Sequence, residues 1–180
     1  MSSVDEFASV FNAAAKPVFQ FQPPTLKRAL VLTDLEGAAE KLGYTPHELM
    51  TVASLVEAEG RGDDMPKVAR VIYNRLAEQR TLEFDSTVNY ALDRIEVATT
   101  DGDRSQETPW NTYLRPGLPA TPICSPGLPA LAAAEAPAPG DWLYFVTIDM
   151  QGTTLFTREY EQHLANIELA RRNGVLDSAR

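Results

Sequence analysis

The stretch VASLVEAEGRGDDMPKVARVIYNRL, residues 52–76, contains the feature on which the fold depends. An apolar helical run meets two glutamates, Glu57 and Glu59, and then breaks at Gly60 and Gly62. A second amphipathic run follows at once. The pattern predicts two packed helices with a carboxyl group at the apolar end of the first.

Helical geometry separates the two glutamates. At about 100° per residue, Val52, Leu55 and Val56 form one apolar side of the helix. Glu59 continues this side, whereas Glu57 lies about 160° away from it. Partial burial raises the pKa of a carboxyl group and makes it a proton donor near neutral pH. On the residues alone a second interpretation stays open, in which Glu59 is solvated or paired with an arginine just past the helix end.

Capping signals and hydrophobic periods predict the remaining elements. In chain order they are a short helix at 34–42, a helix from Pro46 to about Gly60, a helix from about Pro66 to Gln79, a strand or turn segment around 82–92, a β-hairpin of 142–147 and 154–157, and a last helix at about 158–172. Together they predict one α+β domain, with a helical layer packed on a small antiparallel sheet.

Two segments fall outside regular structure. Residues 1–24 are expected to form an N-terminal arm or weakly ordered lead-in, so that the domain proper covers 25–180. Residues 107–129 carry six prolines, yet Trp110 and Tyr113 among them indicate an ordered loop that packs on the domain.

Composition limits the classes of partner and cofactor. A formal net charge of −9 argues against nucleic-acid binding, which needs clustered Lys and Arg. The single Cys124 excludes an internal disulfide and a cysteine-based zinc site, and the two histidines have no metal-ligand constellation around them. We expect no cofactor and no metal. As written, the chain has neither a signal peptide nor an apolar run long enough to cross a bilayer.

Five sequence blocks resemble one enzyme family. They are VASLVEAEGRGDDMPKVARVIYNRL, FDSTVNYAL, TPWNTYLRPGLPATPICSPGLPAL, DWLYFVT and REYEQHLANI. Their order and spacing resemble the catalytic domain of the YceG-like, or MltG, endolytic murein transglycosylases. The resemblance implies a peptidoglycan lytic transglycosylase that cleaves between N-acetylmuramic acid and N-acetylglucosamine and leaves a 1,6-anhydromuramoyl end. It also implies that the second glutamate of the E-x-E pair, Glu59, is the general acid and base.

Substrate-binding candidates lie in three of these blocks. They are Glu57, Asp85, Thr87, Tyr90, Asn111, Thr112 and Tyr113. A structural interpretation of each stays open, because Asp, Asn and Thr also form turns and caps, and a single aromatic residue is more often part of a core. Two other functions remain alternatives. A muramidase-type hydrolase needs a second carboxylate, such as Glu57 or Asp85, and a non-catalytic peptidoglycan-binding module needs none.

The resemblance also implies partners and a cellular location, and two positions of this chain differ from the family pattern. It implies glycan strands of peptidoglycan as the partner, leaves open a peptidoglycan synthase, and places the family at the extracytoplasmic face of the plasma membrane. Contact with the membrane would need an N-terminal segment that is absent from this chain. Gly60 replaces the Thr or Ala often found after the glutamate, which is expected to loosen the helix end, and Thr154 stands at a histidine position of the family.

Overall fold

The fold is arranged around a long central helix, α2, in the computed structural model, which describes residues 34–94 and 99–175. The elements in chain order are α1 (Leu35–Leu42), α2 (Pro46–Glu59), α3 (Met65–Ala77), α4 (Asp85–Leu92), α5 (Asp101–Arg104), α6 (Leu128–Glu135), β1 (Tyr144–Thr147), β2 (Thr154–Thr157) and α7 (Tyr160–Arg172). This arrangement confirms the predicted α+β class. The expected lead-in at 1–24 lies outside the described residues.

Helix α2 begins where its sequence predicts. Thr45 Oγ1 accepts a hydrogen bond from the Glu48 N–H (3.2 Å), and the Glu48 carboxylate accepts one from the Thr45 N–H (2.7 Å). Every residue from Leu49 to Val56 is buried, because α1, α3 and α6 pack around the helix. The predicted apolar stripe is therefore one part of a surface that is enclosed on all sides.

Residues 85–92 form helix α4, so the expectation of a strand or turn segment at 82–92 is wrong. The first turn has the sequence DST, and these residue types start turns as readily as helices. Phe84 precedes the helix, and its hydrocarbon side chain cannot accept hydrogen bonds from the free N–H groups of the first turn. The capping group has to come from another part of the fold.

Helices α5 and α6 were not predicted. Pro129 lies in the first turn of α6, where its missing N–H removes no intrahelical hydrogen bond, and an alanine-rich run completes the helix. This helix packs on both α2 and α3. The proline-rich loop therefore ends at Gly127, and the last residues assigned to it belong to the helical layer instead.

Strands β1 and β2 form the predicted antiparallel hairpin. Phe145 pairs with Phe156, and Gly152 turns the chain between the strands with a positive φ of 88°. The two phenylalanine rings pack against the core on one face. Tyr144 points to the other face, where its ring stacks on His163 of α7 at 4.9 Å between centroids. The hairpin thereby joins α7 to the helical layer.

The loop at 107–127 is ordered and runs beside the second half of α2. The Ile123 N–H donates a hydrogen bond to Ser54 Oγ (3.1 Å). The Gly127 N–H donates to the carboxylate of Glu57 (3.0 Å). These two contacts hold the loop near the end of α2, where Glu59 lies.

Because α2 is enclosed, we expect core truncation there to be costly. Leu55→Ala should lower the free energy of unfolding by about 2–5 kcal/mol, since Leu55 is fully buried and the neighbouring helices cannot collapse into the cavity. The matched control is Leu164→Ala on α7, where the side chain is 44% exposed and the loss should stay below about 0.5 kcal/mol. Urea unfolding of both variants measures the difference, and equal losses would contradict the central role of α2.

Candidate active site

Glu59 is the last residue of α2, at the point where this helix meets the first turn of α4. Its side chain is partly buried, as the helical phase predicts. Ser86 donates a hydrogen bond from Oγ to Glu59 Oε1, and the Ser86 backbone N–H also interacts with this carboxyl group. Glu59 thus supplies the capping acceptor for α4 that Phe84 cannot provide.

The surroundings of Glu59 favour its neutral form. Burial raises its pKa above the ordinary value, because the ionised carboxylate loses hydration. The hydrogen bond from Ser86 opposes this rise, and the negative charge of Asp85 adds to it. The net result is a carboxyl group that keeps its proton to higher pH than a solvated glutamate, which is the property of a general acid.

Gly60 ends α2 in an extended conformation and packs tightly. A Cβ atom at this position would lie 2.9 Å from Val56 O and 3.2 Å from Met65 Cα, which is too close for a real side chain. The packing thus favours glycine here, and the loosening of the helix end that was expected from Gly60 stays a prediction. The missing Cβ lets α3 close onto the residue that follows Glu59.

Asp85 begins α4 and collects donors from two other segments. The Tyr113 hydroxyl donates to Asp85 Oδ1 at 2.6 Å. The Thr99 hydroxyl donates to the same oxygen, and the Thr99 N–H donates to Oδ2 at 3.3 Å. Arg104 Nε lies 3.4 Å from Asp85 Oδ1. The guanidinium carbon of Arg104 lies 5.1 Å from the centre of the Tyr113 ring. The contacts with Tyr113, Thr99 and Arg104 hold the Asp85 carboxylate in one orientation.

The same contacts keep Asp85 ionised. Burial alone would raise its pKa, but the hydrogen bonds from Thr99 and Tyr113 and the charge of Arg104 outweigh burial and hold the pKa below its ordinary value. Glu59 and Asp85 are thus two neighbouring carboxyl groups whose pKa values are shifted in opposite directions. Such a pair can place a proton donor beside a fixed negative charge.

Thr87 and Thr112 are buried and bonded to each other. Their hydroxyl oxygens lie 2.9 Å apart, the Thr112 hydroxyl accepts from the Phe84 N–H at 3.0 Å, and the Thr87 hydroxyl donates to Phe84 O at 2.7 Å. These bonds fix the chain at the start of α4, directly beside Asp85. Contact with substrate remains a prediction for both threonines, and what the structure shows is that they support the site.

Asn111 has a similar supporting position inside the proline-rich loop. Its side-chain amide donates to the carbonyl oxygens of Arg104 and Gln106, both at 2.8 Å, and its Oδ1 accepts from the Tyr113 N–H at 2.9 Å. Asn111 therefore connects the end of α5 and the residue Gln106 to the loop. Tyr113, through its hydroxyl, is the member of this group that reaches Asp85.

Tyr90 and Glu57 lie at the borders of this polar cluster. The Tyr90 ring packs edge-on against Trp110 with 5.6 Å between centroids, and Trp110 donates from Nε1 to the Thr121 hydroxyl (2.8 Å). Glu57 is exposed and accepts the hydrogen bond from Gly127. Binding roles for Tyr90 and Glu57 remain predictions.

Three residues of the cluster were not among the sequence candidates: Ser86, Thr99 and Arg104. Ser86 follows a candidate, Asp85, in the sequence. Arg104 lies in the DGDRSQE segment, and Thr99 has no sequence signal of its own. Their roles follow from tertiary contacts across 14 to 27 residues of sequence, which local patterns do not record.

No group of three or more His, Cys, Asp or Glu residues in the described part of the chain could hold a metal ion. Among the helices of residues 34–94 and 99–175, none is both long and apolar enough to span a membrane.

The comparisons with known proteins identify the family. The YceG-like family model matches residues 4–169, so the chain belongs to the YceG-like family. An endolytic murein transglycosylase of Bacillus subtilis (strain 168) is 36% identical over 118 residues, which cover 65% of this chain and 32% of that relative. An endolytic murein transglycosylase of Streptococcus pneumoniae serotype 2 (strain D39) is 32% identical over 129 residues, 68% of this chain and 23% of that one.

A solved structure has the same fold. The crystal structure of a YceG-like protein from Listeria monocytogenes superposes with a TM-score of 0.71 at 29% identity, and the match covers 82% of this chain and 51% of that chain. The chain thus spans about a third or less of the curated relatives and about half of the Listeria protein.

The raised pKa of Glu59 predicts a pH-dependent gain in stability for Glu59→Gln. Gln can accept the same hydrogen bond from Ser86 without a buried charge. A group whose pKa is raised in the folded state stabilises the fold below its unfolded pKa, about 4.3, and loses this contribution as the pH rises through the folded value. The variant should therefore match the parent near pH 4 and exceed it at pH 8, as measured by urea unfolding at both pH values. Equal stability at both would show that Glu59 ionises at no cost.

Proposed function

We propose that this chain cleaves the glycan strands of peptidoglycan as a lytic transglycosylase, with Glu59 as general acid and base. The observation that carries the proposal is the partly buried, pKa-raised carboxyl group of Glu59, held by Ser86 beside an ionised Asp85. The names of the relatives from Bacillus and Streptococcus, both endolytic murein transglycosylases, support the substrate class.

In the first step, Glu59 donates its proton to the glycosidic oxygen as the bond from that oxygen to C1 of the muramoyl residue breaks. Positive charge develops at C1 and the ring oxygen. The leaving sugar departs with a hydroxyl group, and Glu59 is left ionised. The hydrogen bonds from the Ser86 hydroxyl and backbone N–H then stabilise this carboxylate.

In the second step, the O6 hydroxyl of the same muramoyl residue attacks C1 and gives its proton to Glu59. A bond forms between O6 and C1, which gives a 1,6-anhydro end and restores the acid. The nucleophile is part of the substrate, so water is not consumed and a single carboxyl group serves both proton transfers. The reaction needs no cofactor and no metal ion.

Asp85 has an electrostatic role in this scheme. Its fixed negative charge raises the pKa of Glu59. In this scheme the same charge would stabilise the positive charge that develops at C1. Thr99, Tyr113 and Arg104 hold Asp85 in place and keep it ionised. Variants of these residues are expected to act through Asp85 rather than through the proton transfer itself.

A muramidase-type hydrolase is the second candidate, and the ionised Asp85 is the observation that favours it. In that case Asp85 would act as the second carboxylate, either as nucleophile or as the base for a water molecule. Its contacts with Thr99, Tyr113 and Arg104 argue for a fixed charge instead, because a nucleophile or base needs a free oxygen directed at the sugar. We propose that the chain acts in the cell envelope, where peptidoglycan is found.

Product analysis distinguishes these functions. On uncrosslinked glycan strands we expect the parent to release anhydromuramoyl ends and Glu59→Gln to lose about 10² to 10⁴ or more in rate, because Gln cannot transfer the proton. Mass spectrometry of the products is the measurement. Reducing muramic acid ends would establish hydrolysis, and binding without turnover would establish a non-catalytic module.

The matched control is Glu57→Gln, two residues away on the same helix. Glu57 is exposed and accepts a single backbone hydrogen bond that Gln can also accept, so this variant should retain substantial activity. Thermal melting confirms that both variants fold. A strong loss in Glu57→Gln with an active Glu59→Gln would reverse the assignment of the acid.

A further inference from the structure

Ser86 touches the proposed acid directly. It occupies the second position of α4, half buried, and donates from Oγ to Glu59 Oε1. The Thr87 and Thr112 hydroxyls, bonded to each other and to the Phe84 backbone, fix the turn that carries Ser86. The hydroxyl is therefore placed by a buried frame.

We propose that Ser86 is a positioning residue that fixes the orientation of the Glu59 carboxyl group for proton transfer, an inference that rests on the proposed function of Glu59. The Ser86 hydroxyl binds Oε1, and a hydroxyl group can bond to either protonation state of a carboxyl group. Ser86 can therefore hold Glu59 in one orientation before and after the proton is transferred.

The choice of a hydroxyl group fits this task. A lysine or arginine in the same place would favour the ionised form strongly and would remove the acid at neutral pH. A serine hydroxyl is uncharged, so it orients the carboxyl group while burial still keeps the pKa raised. After proton transfer the same hydroxyl stabilises Glu59 as a carboxylate, ready to accept the second proton.

Asp85 and Ser86, which are neighbours in α4, contact different parts of the site. Asp85 is held by Thr99, Tyr113 and Arg104, whereas Ser86 is turned toward Glu59. Two consecutive side chains of one helix point in different directions, and so a single turn can hold both carboxyl groups. Asp85 provides the negative charge near Glu59, and Ser86 holds the orientation of the Glu59 carboxyl group.

The test compares Ser86→Ala with Ser86→Thr, which keeps the hydroxyl. Since the hydrogen bond favours the ionised carboxylate, its loss should raise the pKa of Glu59. We expect the basic limb of the pH profile of kcat/KM to move to higher pH in Ser86→Ala and the rate at its optimum to fall about 10-fold, the loss typical of one hydrogen bond to a charged group. Ser86→Thr should restore both.

A second measurement does not need turnover. The full chain with ¹³C-labelled glutamate carboxyl groups is titrated by NMR, and the signal absent from Glu59→Gln assigns Glu59. The control is Ser105→Ala, which removes a serine bonded to the Gly102 carbonyl (2.8 Å) on an exposed turn. The titration of Glu59 should move upward in Ser86→Ala and stay unchanged in Ser105→Ala, with thermal melting confirming that both fold.

The outcomes distinguish a failure of the positioning role of Ser86 from a failure of the proposed function. An inactive parent in which Ser86→Ala still raises the titration of Glu59 would leave the positioning role standing and overturn the proposed function. An active parent with the same Glu59 titration and the same basic limb in Ser86→Ala would overturn the role of Ser86 and leave the function standing. A lower melting temperature without either shift would show that Ser86 only stabilises the fold and would overturn its positioning role.

Discussion

The burial of α2 on all sides is the constraint on which the rest of the structure depends. The helix is enclosed from Leu49 to Val56, and the side of its last turn that carries Glu59 and Gly60 stays inside the protein, so groups on that side have to be matched by protein groups in place of water. Gly60 allows α3 to close on this end, and the first turn of α4 meets it with Ser86. The carboxyl group of Glu59 is therefore partly buried because of where the helix ends.

This constraint also explains why many polar residues near Glu59 form a connected hydrogen-bond network, which serves as a frame for the site. Thr87, Thr112 and Asn111 use their hydrogen-bonding groups on each other or on backbone atoms, since buried polar groups must be paired. Their hydrogen bonds hold the loop at 107–127 against the start of α4. Tyr113 extends from this frame to Asp85, and so the frame sets the charge beside the proposed acid.

The two carboxyl groups differ because of their donors. Glu59 has hydrogen bonds from one residue, Ser86, which do not compensate for its burial, whereas Asp85 has hydrogen bonds from Thr99 and Tyr113 together with the charge of Arg104. A buried, weakly compensated carboxyl group reduces stability at neutral pH. Such a cost is typical of a functional site, where the fold accepts a loss in order to hold a reactive group.

The sequence by itself determined the main helices, the hairpin and the position of Glu59, since these follow from local periodicity, caps and turn residues. The capping box at Thr45 and the turn at Gly152 are decided within a few residues. The order of five sequence blocks indicated the YceG-like family. It also brought Asp85 and Tyr113 to attention as candidates, although it did not show that one donates to the other.

Only the tertiary structure decided how the site is assembled. The segment DST has no local preference between turn and helix, and in the fold its first turn is bonded to Glu59, a residue of another helix. In the same way, Thr99 and Arg104 belong to the site because they contact the carboxylate of Asp85. Gly60 is favoured at its position because Met65 approaches it closely. Hydrogen bonds and close packing between segments distant in sequence leave no periodic pattern in the chain, and so they could not be read from it.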